Sequence, residues 1–130
     1  MANCLVIIDV QKGFMKNEET LEIPQKIKLL IRKKHFDHIV CTQFYNSVGS
    51  PYERFLDWHD LMDSASQSIA TEVAEISEVI IRKPIYTCFV PEFCDFIDKN
   101  KIDKLYFLGI DTDCCVLKSC TDCFERNIPF

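Results

Sequence analysis

Four short apolar runs, each stopped by a charged, polar or glycine residue and set apart by stretches of largely helical spacing, constrain this chain most. Cys4 to Asp9 is apolar up to its terminal charge, the pattern of a strand covered on both faces. His38 to Thr42 is a second run, and Val79 to Arg82 a third, stopped by Lys83 and Pro84. Leu105 to Leu108 is the fourth, ended by Gly109. Between the first two, Ile23, Ile27, Leu30 and Ile31 recur at helical spacing behind Pro24, which suits a first turn. Asn46 to Tyr52 reads as a loop, Arg54 to Met62 as a helix, and Ile69 to Ile76 fits neither pattern cleanly. Pro91 to Asn100 predicts a helix with Phe93, Phe96 and Ile97 inward. Cys115 to Arg126 predicts another, with Val116, Cys120, Cys123 and Phe124 inward.

Strands that alternate with helices require crossover connections. The expected fold class is therefore α/β, a three-layer Rossmann-like arrangement with a central parallel sheet and helices on both faces. A length of 130 residues suits one domain spanning 1–130, and 3 glycines and 5 prolines leave no linker. After Arg126 come Asn127, a tolerable helix stop, and then Ile128-Pro129-Phe130, where the rhythm would start another strand. The expectation is a domain short of its C-terminal strands and helices.

A net charge of −5 argues against a general nucleic-acid surface, which needs an excess of Lys and Arg. The basic stretch from Lys26 to His38 follows a helix pattern, where such charges are ordinarily solvated. No apolar run approaches membrane-spanning length, and Leu5 to Ile8 is too short, without a basic leader, for a secretion signal. Eight cysteines, two of them adjacent at Cys114 and Cys115, do not form a disulfide framework. A reducing, cytoplasmic location is expected, with no membrane and no nucleic-acid partner.

In open parallel sheets, ligands bind beyond the carboxyl ends of the strands. Asp9, Lys83 and Cys115 all fall at such ends. Each alone has a plain alternative: an Asp caps a loop, a Lys is solvated, and a Cys is a small inert hydrophobe. Only the fold could bring the three together.

Their local sequences say more. Ile7-Ile8-Asp9-Val10-Gln11 with Phe14 resembles the first-strand motif of isochorismatase-like cysteine hydrolases. Lys83-Pro84-Ile85-Tyr86-Thr87-Cys88-Phe89 resembles their lysine motif, and Gly109-Ile110-Asp111-Thr112-Asp113-Cys114-Cys115-Val116 their nucleophile motif. The resemblance implies that Cys115, not Cys114, attacks, that Asp9 is acid and base, and that Lys83 supports them. It also implies a cis peptide before the nucleophile turn, here Ile110–Asp111, and a substrate and oxyanion set of Gln11, Phe14, Tyr86, Asp111 and Cys114. A small-molecule amide is the implied substrate, hydrolysed through a thioester with no cofactor, and a homo-oligomer is the implied assembly. Lys83 and the helix start are both expected to favour the Cys115 anion, whereas Asp9 alone would raise the thiol pKa, so its useful role is to accept the thiol proton.

Nicotinamidases of this superfamily carry an Asp and two His as metal ligands after the second strand. The stretch Thr42-Gln43-Phe44-Tyr45-Asn46 supplies neither the Asp nor the first His, so no metal is expected. Tyr45, Tyr52, Phe55, Trp58 and Tyr86 could roof a pocket or belong to the core. Two rival readings remain: an inactive homologue serving as an oligomerisation or interaction module, and a thiol redox protein using Cys114, Cys115 and the C-x-x-C of Cys120 and Cys123.

Overall fold

The computed structural model describes residues 2–130. Its strands are β1 (Ala2–Ile8), β2 (His38–Phe44), β3 (Val79–Lys83) and β4 (Ile102–Gly109). All pairings are parallel, and the order across the sheet is β3-β2-β1-β4. The chain steps outward from β1 to β3 and then returns to the far side of β1. The strand order therefore reverses between β1 and β4, which is where an open parallel sheet leaves a crevice for a ligand.

Period-two alternation sorts the β1 side chains between two cores. Cys4, Val6 and Ile8 pack with Val40 and Ile81 against Phe93 and Ile97 of α6 (Pro91–Asn100) and Cys123 of α7 (Leu117–Glu125). Leu5 and Ile7 pack with Cys41 against Ile27 of α2 (Ile23–Lys33) and Val73 of α5 (Thr71–Ile76). The sheet thus carries helices on both faces, the three layers expected. Short helices α1 (Glu18–Leu21), α3 (Pro51–Leu56) and α4 (Ser64–Gln67) lie in the connections.

Several boundaries differ from the sequence reading, each for a local reason. The helix expected from Arg54 to Met62 is instead Pro51–Leu56: Ser50 accepts from Glu53 N, Pro51 fills the first turn, and Asp57 ends it at φ +51°. The ambiguous Ile69 to Ile76 segment contains α5. The last helix is preceded by a wide turn at Thr112–Val116, closed by Val116 N donating to Asp111 O at 3.1 Å. Phe124, expected inward, is 75% exposed, because the inner face of α7 passes through Ser119 and Cys123.

Gly109 marks the closest approach of β4 to β1. At φ +145°, a Cβ there would lie 2.0 Å from Ile8 O, so no other residue fits.

Candidate active site

Three strand ends meet at the crevice. Asp9, directly after β1, takes a left-handed conformation at φ +53°, which Asp tolerates better than most residues. Its carboxylate is held on both oxygens: Thr42 Oγ1 donates to Oδ1 at 2.7 Å, and Lys83 Nζ donates to Oδ2 at 3.0 Å. Thr42 is tied in turn by Asp9 N, which donates to Thr42 Oγ1 at 3.1 Å. Asp9, Thr42 and Lys83 are all fully buried.

Lys83 ends β3, two strands from Asp9, and its long side chain crosses beneath β2. Its ammonium also donates to Ile85 O at 2.9 Å and Tyr86 O at 3.0 Å. Three oxygen acceptors use its three N–H groups. Cys115 Sγ is a fourth neighbour at 3.4 Å. The loop carrying those carbonyls is pinned to α7, where Ser119 Oγ accepts from Cys88 N.

Burial pushes the Cys115 thiol well above its ordinary range, the Asp9 carboxylate pushes it further, and Lys83 only partly offsets them. Asp9 and Lys83 thus act on the thiol in the opposite senses expected of them, and burial, which the sequence did not disclose, outweighs the help from Lys83. The Ile110–Asp111 bond is cis, as the motif implied.

A cavity of about 320 Å³ opens over Cys115, near the lower end of the small-molecule range. Phe14, Tyr86, Asp111 and Cys114, four of the residues expected to meet the substrate, lie on its wall. Gln11 does not. Its amide donates to Phe44 O and Gln67 O and accepts from Phe44 N, all at 2.8–2.9 Å, so it is spent on bracing the loops behind the site. Tyr52 and Trp58 roof the cavity, whereas Tyr45 and Phe55 stand outside it. Burial raises the Tyr52 hydroxyl to about 12.

Phe44, Thr42, Lys16 and Asp60 were not singled out from sequence. Phe44 and Thr42 sit on β2, and only the register that sets Phe44 beside Lys83 shows that they reach the site. Lys16 and Asp60 both line the cavity and pair at 2.8 Å across its mouth.

The residues after β2 do not fit a metal. Phe44 turns into the aromatic wall, and the Asn46 amide donates to Trp58 O and Asp60 O while accepting from Ser47 N and Ser50 Oγ. His59 is clasped through both ring nitrogens by Glu53 and Asp57. Among the described residues no three His, Cys, Asp or Glu side chains are grouped to hold an ion.

Cys4, Cys41, Cys88 and Cys123 are buried away from the cavity. Burial pushes the thiols of Cys4 and Cys88 up to about 12 and Cys123 to about 11. Cys123 donates to Ile128 O at 3.3 Å, and Cys120 and Cys123 lie within α7, away from the helix start where a reactive thiol gains most.

The family model of the isochorismatase domain matches residues 3–129. Among solved structures, an N-carbamoylsarcosine amidase from Thermoplasma acidophilum superposes with a TM-score of 0.80 at 20% identity, covering 98% of this chain and 79% of that one. A pyrazinamidase of Pyrococcus horikoshii, solved in complex with zinc, gives 0.79 at 20% identity, covering 98% and 81%. A nicotinamidase from Bacillus subtilis gives 0.76 at 17% identity, also covering 98% and 81%. At these identities the structures attest to the shared fold. No curated protein matches the chain.

Proposed function

The chain belongs to the isochorismatase domain family, and from that premise we propose that it is a cysteine hydrolase cleaving the C–N bond of a small amide or carbamoyl-type compound. One observation carries the reading. Behind Cys115, which lines the cavity, a buried ammonium is bonded to the Asp9 carboxylate at 3.0 Å and lies 3.4 Å from the Cys115 sulfur. Burying this many polar groups is costly unless they are paired, and such clusters concentrate where chemistry is done.

The steps follow from the charges. Asp9 takes the proton of the neutral Cys115 thiol as the sulfur attacks the carbonyl carbon. Lys83 stays protonated, so the newly formed thiolate keeps a cation beside it while the carboxylate loses its charge. The tetrahedral oxyanion is held by backbone N–H groups of the Thr112–Val116 turn, where one such donor is ordinarily worth about 3 kcal/mol of barrier. As the C–N bond breaks, Asp9 returns its proton to the departing nitrogen, which leaves as ammonia or an amine. Water, deprotonated by Asp9, then attacks the thioester; Cys115 departs as a thiolate and is reprotonated. Thr42 fixes the angle of the carboxylate throughout.

An intact buried trio supports this reading over a retired interaction module. The eight free thiols support work in a reducing compartment such as the cytoplasm, and the exposed Leu117 and Phe124 on α7 support association of copies. No described helix is long and apolar enough to cross a membrane.

The test is an ammonia-release panel of small primary amides and carbamoyl compounds, followed by mass spectrometry of the quenched enzyme. A responsive amide should add its acyl mass to Cys115, and Cys115→Ala should abolish release while melting like the wild type. Release by Cys115→Ala at the wild-type rate would sink the assignment.

A further inference from the structure

The cavity over Cys115 carries one solvent-exposed carboxylate without an ion-pair partner. Lys83 is matched by Asp9 at 3.0 Å, and Lys16 by Asp60 at 2.8 Å. Asp111 is the remaining charged side chain on the wall, and no ion pair among the described residues involves it. Desolvation, with Asp113 and Asp9 nearby, raises its carboxyl above the ordinary 3.8, as expected for a carboxylate lacking a positive neighbour.

Five aromatic side chains make up much of the rest of the wall. Phe14 and Trp58 stack at 6.1 Å with 10° between their planes, and Tyr52 meets Phe44 at 5.2 Å and Tyr86 at 5.1 Å edge-on. Ring faces present negative potential and attract compact cations. An anionic substrate group would meet both these faces and Asp111 as like charge. A neutral group would gain nothing from the carboxylate. A cation satisfies both features at once.

Resting on the amide-hydrolase reading, we propose that this pocket selects amides bearing a compact alkylated ammonium group, seated between the aromatic wall and Asp111. The small cavity restricts the substrate to a short chain between the ammonium and the scissile amide. Asp111 is then the specificity-determining residue, and the neutralised Lys16–Asp60 pair keeps the mouth from repelling the cation.

Betaine amide and its uncharged isostere tert-butylacetamide differ only in nitrogen for carbon, so their affinities isolate the charge. Titration calorimetry on the Cys115→Ala protein reads binding without turnover. Betaine amide should bind about tenfold tighter or better, the scale of one partly solvated charge contact in a small pocket. Asp111→Asn should erase that ratio and Asp111→Glu should retain it, with melting curves confirming that both variants are folded. Equal affinity of the two amides, binding of neither, or an undiminished ratio in folded Asp111→Asn would overturn the inference. The isostere comparison stands even if the Asp111 variants do not fold. Selective binding without any turnover by the wild type would instead leave the pocket assignment intact and remove the hydrolase reading.

Discussion

Lys83 Nζ sits 3.0 Å from Asp9 Oδ2 across 74 residues of sequence, and neither side chain has any solvent exposure. A pair this deep gains little over an apolar replacement of both partners, yet breaking it leaves one bare charge in the core. Lys83→Met should therefore destabilise the protein by about 3–5 kcal/mol in urea unfolding at neutral pH. Adding Asp9→Asn should recover part of that loss, because the stranded carboxylate is gone. A Lys83→Met protein as stable as the wild type would show that the pair is not buried as described.

The raised Cys115 thiol separates the two roles open to Asp9 by opposite predictions. If the carboxylate only repelled the thiolate, Asp9→Asn would lower the thiol's pKa and speed alkylation. If it accepts the proton, the same change removes the base and slows alkylation. We expect slower labelling: iodoacetamide at neutral pH, with the modified cysteine mapped by mass spectrometry, should modify Cys115 at least about tenfold more slowly in Asp9→Asn. Faster labelling would assign Asp9 a purely electrostatic part.

Thr42 carries a hydrogen bond that the mechanism leans on, its hydroxyl reaching Asp9 Oδ1 at 2.7 Å while receiving Asp9 N. Thr42→Val keeps the shape and removes both bonds. The expected cost is about 1–3 kcal/mol in stability. In turnover, kcat should fall with KM little changed, because the carboxylate loses its orientation while the cavity wall is untouched. Proportionate loss in KM alone would place Thr42 in substrate binding instead.

What the sequence disclosed follows from where the information lies. Buried strands announce themselves as unbroken apolar runs, so the sheet and most of the helices on its faces were legible, α6 matching the expected Pro91–Asn100 while α5 stayed ambiguous. Asp9, Lys83 and Cys115 were legible because three local motifs surround them. Thr42 and Phe44 were not, since on β2 they look like any strand residues until β3 sets Lys83 beside Phe44. Gln11 was placed among the substrate contacts because its motif sits beside Asp9. Its true partners are the backbones of Phe44 and Gln67, 33 and 56 residues away, and no local pattern encodes them. The thiol's environment was legible in part: Asp9 and Lys83 act in the senses expected, but the burial that outweighs Lys83 is a property of the packed site.

Asp111 links function to stability through pH. Its carboxyl is raised above 3.8 in the folded chain, first by desolvation and then by Asp113 and Asp9. A group with a raised folded pKa favours folding below its unfolded value and loses that contribution as pH climbs through the folded value. At neutral pH the ionised Asp111 is therefore a burden on the free protein, modest because the side chain is largely solvated. Asp111→Asn should melt about 1–3 °C higher than the wild type at pH 7, and the difference should vanish as the pH is lowered below about 4. Differential scanning calorimetry across that range measures it directly. A wild type that melts with or above the variant at neutral pH would mean that Asp111 already has a cationic partner, and the vacancy in the pocket wall for a substrate ammonium would close with it.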